Sequence, residues 1–527
     1  MKTRRKIINT YTPLTDARRF RLRLFSEGIL VGLAAGLVIC GFRWALLLAE
    51  AQRQKLFALL KTPTAFSLLL ALMALIGAAY LLTRLSRLEP EADGSGIPLV
   101  KGQLLGLFKP NWLRILLVKP LACVLAIGSG LSLGRAGPSI QLGAVAGQGV
   151  SRLLGRTHLE ERYLLSGGAG AGLAAVFNAP LAGIIFVLEE LHHSFSTILL
   201  FPALASALTA TLVSRLLFGY ETIFDFSDLT HLPAAYYLYA VPTCFFSALA
   251  GIAFNYGLLN ASRFYALPIF KNSFSKNLFA LLCAGLLGLY LPQVLGGGDA
   301  LITAVDTTDY SLHWLFVFLA AKLLLTLFSF GTGIAGGAFI PTLVIGALLG
   351  SINATLLIGA GFIEPLLRNN IIILSMAAFL TASVRTPITA IVLIMEMTGS
   401  FDHLFSLAMA SMTSYAATEL CKSKPLYGEL LLRRVKKAHT LERNHAAQNR
   451  HLLEVVIESG SHADNRLIKE LTWPEHTLLV DIRRGEEELV PLGDTRLHAG
   501  DYLYILANPE QTSTIYELTK RFGRDLE

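Results

Sequence analysis

Apolar segments about as long as a membrane is thick recur along the chain. They cover residues 28–49, 65–82, 113–131, 236–258, 278–295 and 314–330. A helix needs about 20 mostly apolar residues to cross the hydrocarbon core of a bilayer. Only 16% of the 527 residues are charged, against roughly 25% in a soluble domain. The sequence therefore predicts an all-α polytopic membrane protein, and the glycines and prolines inside the apolar runs predict that several helices are broken or tilted.

Basic residues flank the membrane segment at both ends. The first 24 residues carry eight Lys and Arg side chains against one acid, Asp16, and residues 433–437 are basic again. Cytoplasmic flanks of spanning helices are enriched in Lys and Arg. We therefore expect both termini in the cytoplasm of a bacterial inner membrane, with no cleaved signal peptide. The net charge of +8 then reflects topology and contact with the lipid bilayer, and we expect no nucleic-acid partner.

Composition divides the chain into four parts. Residues 1–27 form a basic cytoplasmic arm, and residues 28–432 form the membrane domain. Residues 433–451 form a basic and polar linker. From residue 452 to 527 short alternating strands, charges and turns predict a small α+β cytosolic domain.

Patterns typical of enzymes and metal proteins carry little weight here. The five cysteines are scattered without a C-x-x-C pair, and the twelve histidines show no H-E-x-x-H spacing. The segment Gly130-Leu131-Ser132-Leu133-Gly134 fits the nucleophile pattern of hydrolases but lacks a strand–turn–helix context. We expect no enzyme activity, no metal or disulfide and no required cofactor.

Two pairs of similar segments indicate an internal repeat. Residues 178–190 (NAPLAGIIFVLEE) match residues 385–397 (RTPITAIVLIMEM) at an offset of 207. At an offset of 203, a second match pairs Pro138, Gly143 and Gly147 with Pro341, Gly346 and Gly350. Repeats with Gly/Pro-interrupted segments are typical of transporters, whose binding site lies at the repeat interface. We expect the second repeat to begin within residues 235–270.

Three polar, glycine-rich segments interrupt the apolar region, and each ends in proline. They are Gly94-Ser95-Gly96-Ile97-Pro98, Gly134-Arg135-Ala136-Gly137-Pro138 and Gly336-Gly337-Ala338-Phe339-Ile340-Pro341. Proline favours the first turn of a helix, so each segment predicts a helix N-terminus with unpaired N–H groups and a partial positive charge. Taken alone, each is equally an ordinary turn. If the fold brings them together, they favour binding of an anion over a cation.

These motifs resemble those of the CLC family of voltage-gated chloride channels and proton/chloride exchangers. The resemblance covers about residues 28–431 and includes a late Pro425-Leu426-Tyr427 in the same order. It implies an inverted repeat of tilted and broken helices. It also implies a homodimer with one anion pore per subunit.

The resemblance also implies a chloride site. Ser95 and Tyr427 would bind the ion through their hydroxyls, and Ala338 and Phe339 through their N–H groups. Gly96 and Ile97, which follow Ser95 in the first motif, would also take part in chloride binding. The positions that support the motifs are Gly94, Pro98, Gly134, Arg135, Gly137, Pro138, Gly337, Ile340 and Pro341. Neutral donors suit a permeating ion because a fully charged ligand would hold it too tightly. For Tyr427, an aromatic anchor at the membrane interface is the alternative.

Ala136 departs from the family pattern, which usually has a glutamate there. That glutamate is the external gate and carries the exchanged proton, whereas a methyl group has neither charge nor proton. The inner carboxylate of the proton pathway matches Glu190. The resemblance therefore predicts passive, proton-uncoupled chloride conduction. The alternative is an H+/Cl- antiporter whose gating glutamate was replaced, by engineering or in nature.

Other charges within apolar runs have two interpretations each. Lys119 either raises the local potential for anions or acts as structural glue, and a snorkelling side chain is a third option. Glu189 and Glu396 occupy equivalent repeat positions, which favours a shared structural role. We expect Arg135 to hold its loop by binding carbonyl groups.

The C-terminal part resembles the RCK-C or TrkA-C ligand-binding module of potassium-transport regulators. Strands are predicted at residues 453–457, 477–482, 488–490 and 502–506, and helices at residues 466–471 and 514–521. The resemblance rests on residues 483–486, 491–495 and 497–506. It implies dimerisation and a candidate nucleotide ligand such as cyclic di-AMP. A dimer-stabilising appendage without a ligand is the alternative.

Overall fold

The structure is a computed structural model that describes residues 12–59, 65–220, 222–224, 226, 229, 231–442, 451–457, 460–475, 477–485, 487–507, 514–515 and 518–519. Residues 1–11 of the predicted arm, residues 443–450 of the predicted linker, Glu486 and half of the predicted last helix lie outside these residues. The chain divides into two units, Met1–Lys101 with Pro110–Glu429, and Gly102–Lys109 with Leu430–Glu527.

Helices account for almost all of the membrane part. The first set is α1 Thr12–Leu59, α2 Ala65–Leu88, α3 Ile97–Leu104, α4 Trp112–Gly128, α5 Ala136–Leu153, α6 His158–Phe177, α7 Pro180–Phe186 and α8 Thr197–Phe218. The second set is α9 Tyr237–Phe264, α10 Ser273–Tyr290, α11 Asp299–Thr307, α12 Leu312–Gly331, α13 Phe339–Gly359, α14 Arg368–Val384, α15 Pro387–Thr398 and α16 Leu404–Leu420. The helix α17 Leu426–Glu442 follows. Within the described part of the chain, eight helices are long and apolar enough to cross a membrane.

Two helices continue across predicted domain boundaries, which themselves stay predictions. Helix α1 runs without a break from Thr12, so no structural boundary separates the described part of the basic arm from the first apolar run. Helix α17 continues to Glu442, so the beginning of the predicted linker is helical. Arg and Lys are good helix formers, and no proline interrupts the helix at either junction.

Glycines let helix backbones touch in both repeats. A Cβ built at Gly143 on α5 would lie 2.1 Å from the carbonyl oxygen of Gly168 on α6, and one built at Gly168 would lie 2.2 Å from that of Gly143. Gly172, four residues further along α6, is equally crowded. In the second repeat, a Cβ at Gly350 on α13 would lie 2.6 Å from the Cα of Ile372 on α14. Small residues four apart allow such close helix packing in membranes, where van der Waals contact drives helix association.

Two glutamates tie the repeats together by capping each other's helices. The carboxylate of Glu396, near the end of α15, accepts hydrogen bonds from the N–H groups of Leu181 and Ala182 at the start of α7, at 3.0 and 2.8 Å. The carboxylate of Glu189 accepts from the two equivalent N–H groups at the start of α15, at 3.0 and 2.6 Å. A carboxylate stabilises a helix N-terminus by charge and hydrogen bonding. This reciprocal arrangement agrees with the shared structural role predicted for Glu189 and Glu396.

The C-terminal unit contains an antiparallel four-stranded sheet in the order β1-β4-β2-β3. Its strands are β1 His451–Val456, β2 Leu478–Arg484, β3 Glu487–Leu489 and β4 Tyr502–Ala507. Leu503, Ile505 and Ala507 alternate on one face of β4 and are buried in the core of the unit. The predicted helix at residues 466–471 is wrong in type, because only a 3-10 turn, Ile468–Glu470, forms there. Six residues are too few for a stable helix without strong tertiary packing.

Candidate anion-binding site

Backbone hydrogen bonds join the three glycine-rich motifs. The N–H of Gly94 donates to the carbonyl of Gly333 at 3.0 Å, and the N–H of Gly336 donates to the carbonyl of Gly94 at 3.1 Å. Gly134 and Gly337 exchange both of their backbone hydrogen bonds, at 2.5 and 2.9 Å. Motifs from both repeats therefore meet in one place.

Each motif ends in a helix N-terminus. Helix α3 begins at Ile97, α5 at Ala136 and α13 at Phe339. No side chain caps α5 or α13, although Arg135 and Ala338 stand at their N-cap positions. The first N–H groups of a helix lack intrahelical acceptors and carry partial positive charge, so three such ends together form an anion-binding environment.

Two hydroxyl groups complete this environment. Ser95 and Tyr427 are 4% and 1% exposed, yet neither hydroxyl has a hydrogen-bond partner among the residues that the structure describes. The two hydroxyls are neighbours, but their geometry does not form a direct hydrogen bond. Buried polar groups are nearly always hydrogen-bonded, so each exception needs an explanation. A bound anion that accepts from both hydroxyls supplies one.

Glycines leave room for an ion beside Ser95. A Cβ built at Gly337 would lie 3.5 Å from Ser95 Oγ and 3.4 Å from the backbone N of Gly137. The missing side chain of Gly337 therefore opens space between two potential donors. By contrast, a Cβ at Gly137 would lie 2.2 Å from the carbonyl oxygen of Ser95, so this glycine is required for the close approach of the motifs themselves.

Comparison with known proteins fits this arrangement. Residues 74–419 match the voltage-gated chloride channel family, and residues 452–520 match the TrkA-C domain. The chain belongs to the CLC family. The predicted family, the fold class and the TrkA-C module are thereby confirmed.

Relatives of this CLC protein include exchangers. It is 34% identical over 428 residues to the H(+)/Cl(-) exchange transporter ClcA of Vibrio cholerae serotype O1 (strain M66-2), over 77% of this chain and 89% of the relative. The crystal structure of a slow cyanobacterial Cl-/H+ antiporter is similar with a TM-score of 0.74 and 29% identity, over 79% of this chain and 99% of the other. That of a CLC-type fluoride/proton antiporter has a TM-score of 0.64 and 26% identity, over 80% and 99% of the two chains.

Ala136 is fully buried at the start of α5, between Arg135 and Gly137. Its methyl group can neither compete with an anion nor bind a proton. The position at which the resemblance predicts a gating glutamate thus carries a side chain that cannot ionise.

Lys119 is a structural cation in the wall of the site. Its side chain is fully buried on α4, and its ammonium group donates to the carbonyls of Ala92 and Gly94, each at 2.7 Å. These bonds hold the loop that carries Ser95. The charge of Lys119 also lies next to the first motif, so its effect on the local potential stays a prediction.

Lys322 repeats this arrangement in the second half. It lies on α12 at an offset of 203 from Lys119, is fully buried, and donates to the carbonyls of Val294 and Gly296 at 2.8 and 2.9 Å. Sequence analysis missed Lys322, although the repeat offset predicts it. The loop that it holds leads directly into α11.

Arg135 forms an ion pair instead of binding carbonyls of its own loop. Its guanidinium lies 3.0 Å from the carboxylate of Asp299, the first residue of α11. Both side chains line a small cavity together with Glu50. A carboxylate at the start of α11 satisfies both the helix dipole and the arginine, so within the described residues the observed partner of Arg135 is Asp299.

Glu190 has a cationic partner that sequence analysis also missed. Lys101, on α3, donates to Glu190 Oε1 at 2.6 Å. The two residues are 89 positions apart, so no local pattern connects them. The sequence signal that could have indicated this pair was Lys101 itself, a charged residue on the short helix that follows Ser95.

Proposed function

We propose that this CLC protein conducts chloride passively, without coupling to protons. The proposal rests above all on the buried, unpartnered hydroxyls of Ser95 and Tyr427 beside three converging helix ends. An ion in this place would accept hydrogen bonds from Ser95, Tyr427 and the N–H groups of Ala338 and Phe339. Each hydrogen bond to a charged group contributes about 1.5–3 kcal/mol. A few such bonds offset the loss of hydration and still release the ion readily, because none of the donors carries a full charge.

Uncoupled transport follows from the chemistry of Ala136. Proton exchange requires a titratable group where the anion path meets the outside, and alanine has none. The relatives compared above are named as exchangers, so the proposal concerns a difference from them. Alanine in place of the family's usual glutamate at position 136 supports chloride conduction instead of proton/chloride exchange.

Reconstituted vesicles test both parts of the proposal. We expect chloride efflux from vesicles that contain the purified protein, with a reversal potential that follows the chloride gradient alone. Ser95→Ala with Tyr427→Phe should lower efflux strongly. If a proton gradient alone drives chloride uphill through the protein, conduction is coupled and the antiporter alternative is correct. Ala136→Glu should close the pore at neutral pH and open it in acid, as the new carboxylate is protonated.

We further propose a homodimer in a bacterial inner membrane, with both termini in the cytoplasm. The TrkA-C domain of this chain is then a cytosolic sensor, and a nucleotide such as cyclic di-AMP is its candidate ligand. Native mass spectrometry of the detergent-solubilised protein tests the dimer. Calorimetric titration of the full chain with cyclic di-AMP tests the ligand, and unchanged heats would favour a purely structural appendage.

A further inference from the structure

A buried ion pair lies next to the candidate anion site. Lys101 Nζ is 2.6 Å from Glu190 Oε1, and the two side chains are only 10% and 5% exposed. Lys101 lies six residues after Ser95 in the sequence, on the helix that starts at this motif. Glu190 belongs to a π-helical turn, Val187–Leu191, that follows α7. Such π turns are frequent at functional sites.

The pair connects the anion site with a surface histidine. Glu190 interacts electrostatically with the hydroxyl of Tyr427. On the other side, Lys101 Nζ lies 3.4 Å from Nε2 of the exposed His193. A full negative charge on Glu190 alone would therefore face any anion held by Tyr427. In a poorly hydrated site such repulsion is screened much less than in water.

Other charged groups near Glu190 are already engaged. Glu189 caps α15 with both carboxylate oxygens. From the packed helices, α6 contributes Arg162, which acts on His192, and α8 contributes Arg215, which binds Asn178. Lys101 is the cation in direct contact with Glu190 within the described residues.

We propose that Lys101 neutralises Glu190 and thereby keeps the anion path open at neutral pH. Lys101 is a positioning residue, since it acts on the anion through Glu190. The inference rests on the proposed chloride conduction and deepens it. It also gives Glu190 a role that needs no proton relay. The lysine ammonium at 2.6 Å keeps the carboxylate ionised, and the two charges together sum to zero.

A double-mutant cycle tests this inference. Lys101→Met removes the cation and leaves Glu190 as an unpaired buried charge, so chloride efflux at pH 7.5 should fall about tenfold. Efflux should recover towards pH 5 as Glu190 takes up a proton. The double variant Lys101→Met/Glu190→Gln should conduct within about twofold of wild type at both pH values, because the pair is then replaced by two neutral side chains. Lys101→Arg is the conservative control and should retain conduction.

A purely structural role predicts a different result. Lys101→Met would then lower efflux equally at pH 7.5 and pH 5, and Glu190→Gln would not rescue it. That result, or an unchanged efflux, would overturn the inference. Elution volume and thermal unfolding of each variant identify any loss of fold, and the rescued double variant keeps the test decisive if Lys101→Met alone is unstable.

Calorimetric chloride binding separates this inference from the proposed function. If wild type binds chloride without efflux, the proposed conduction fails; if Lys101→Met then still weakens binding about tenfold with rescue in the double variant, the neutralisation of Glu190 at the anion site holds independently. If wild type shows chloride efflux, and Lys101→Met has the same chloride binding and efflux as wild type, the inference is refuted while the proposed function stands.

Discussion

Gly337→Ala should block the anion site without disturbing the fold. The added methyl would lie 3.5 Å from Ser95 Oγ, 3.4 Å from the N atom of Gly137 and 3.5 Å from the carbonyl oxygen of Gly134. These are ordinary van der Waals distances, and Gly337 has no positive φ that would strain an alanine. The methyl nevertheless lies between Ser95 and Gly137, in the space that an ion would need in order to accept from both.

The expected loss follows from the number of donors that the methyl masks. Two hydrogen bonds to a charged group, at about 1.5 kcal/mol each, amount to about 3 kcal/mol. At 1.4 kcal/mol per factor of ten, chloride affinity should fall about a hundredfold. The free energy of unfolding should change by less than about 1 kcal/mol, as for a substitution without steric conflict.

Calorimetric chloride titration and vesicle efflux measure this loss, and thermal unfolding in detergent measures the fold. Gly359→Ala is a matched control, because it lies at the far end of α13, the helix that follows Gly337, and its Cβ would meet nothing within 4 Å. Wild-type chloride affinity in a folded Gly337→Ala protein would refute our placement of the ion. A similar loss in both variants would show that helix α13 as a whole was disturbed.

Three further predictions concern groups that support the fold. Lys119→Met removes a donor from the carbonyls of Ala92 and Gly94, of which Gly94 still accepts from the N–H of Gly336. It should lower stability by about 1–3 kcal/mol, seen as a lower thermal midpoint; an unchanged midpoint would mean that other donors replace the lysine. Glu189→Gln and Glu396→Gln should each cost about 1 kcal/mol, with the larger shift in midpoint for Glu189→Gln, because Glu189 also accepts from the hydroxyl of Thr389; a larger shift for Glu396→Gln would contradict this order. Burial would raise the pKa of the Asp501 carboxyl, but its hydrogen bonds with Arg484 and a backbone N–H hold that pKa below the usual value. The pair therefore stabilises the C-terminal unit fully above the ordinary aspartate pKa, and its contribution is lost as pH falls through the lowered one. An acid titration of the full chain by circular dichroism should show this step, which Asp501→Asn should remove.

The motifs that form the site were predictable because each is a local signal. Gly94, Gly134 and Gly337 belong to short segments whose glycines and prolines specify turns and helix starts. The position of Tyr427 followed from its family motif. The convergence of these segments required the fold, since the hydrogen bonds that join them link residues about 200 positions apart.

The partners of buried charges were harder to predict. Lys101 and Glu190 form their pair through tertiary packing, and Arg135 prefers Asp299 to the carbonyls expected for it. Neither contact leaves a periodic pattern in the sequence. Lys322 is different, because the repeat offset that relates the proline motifs also relates it to Lys119.

The exchange of hydrogen bonds between Gly134 and Gly337 has a consequence for biosynthesis. These residues are 203 positions apart in the chain, and at about 5–20 residues per second a ribosome needs roughly 10–40 s to cover that distance. During this interval the first half is inserted in the bilayer with its site incomplete. The glycine-rich surface around Gly134 must therefore avoid contacts with other segments until the second half of the chain is synthesised. Separately expressed halves should for the same reason regain the site only when they are synthesised together.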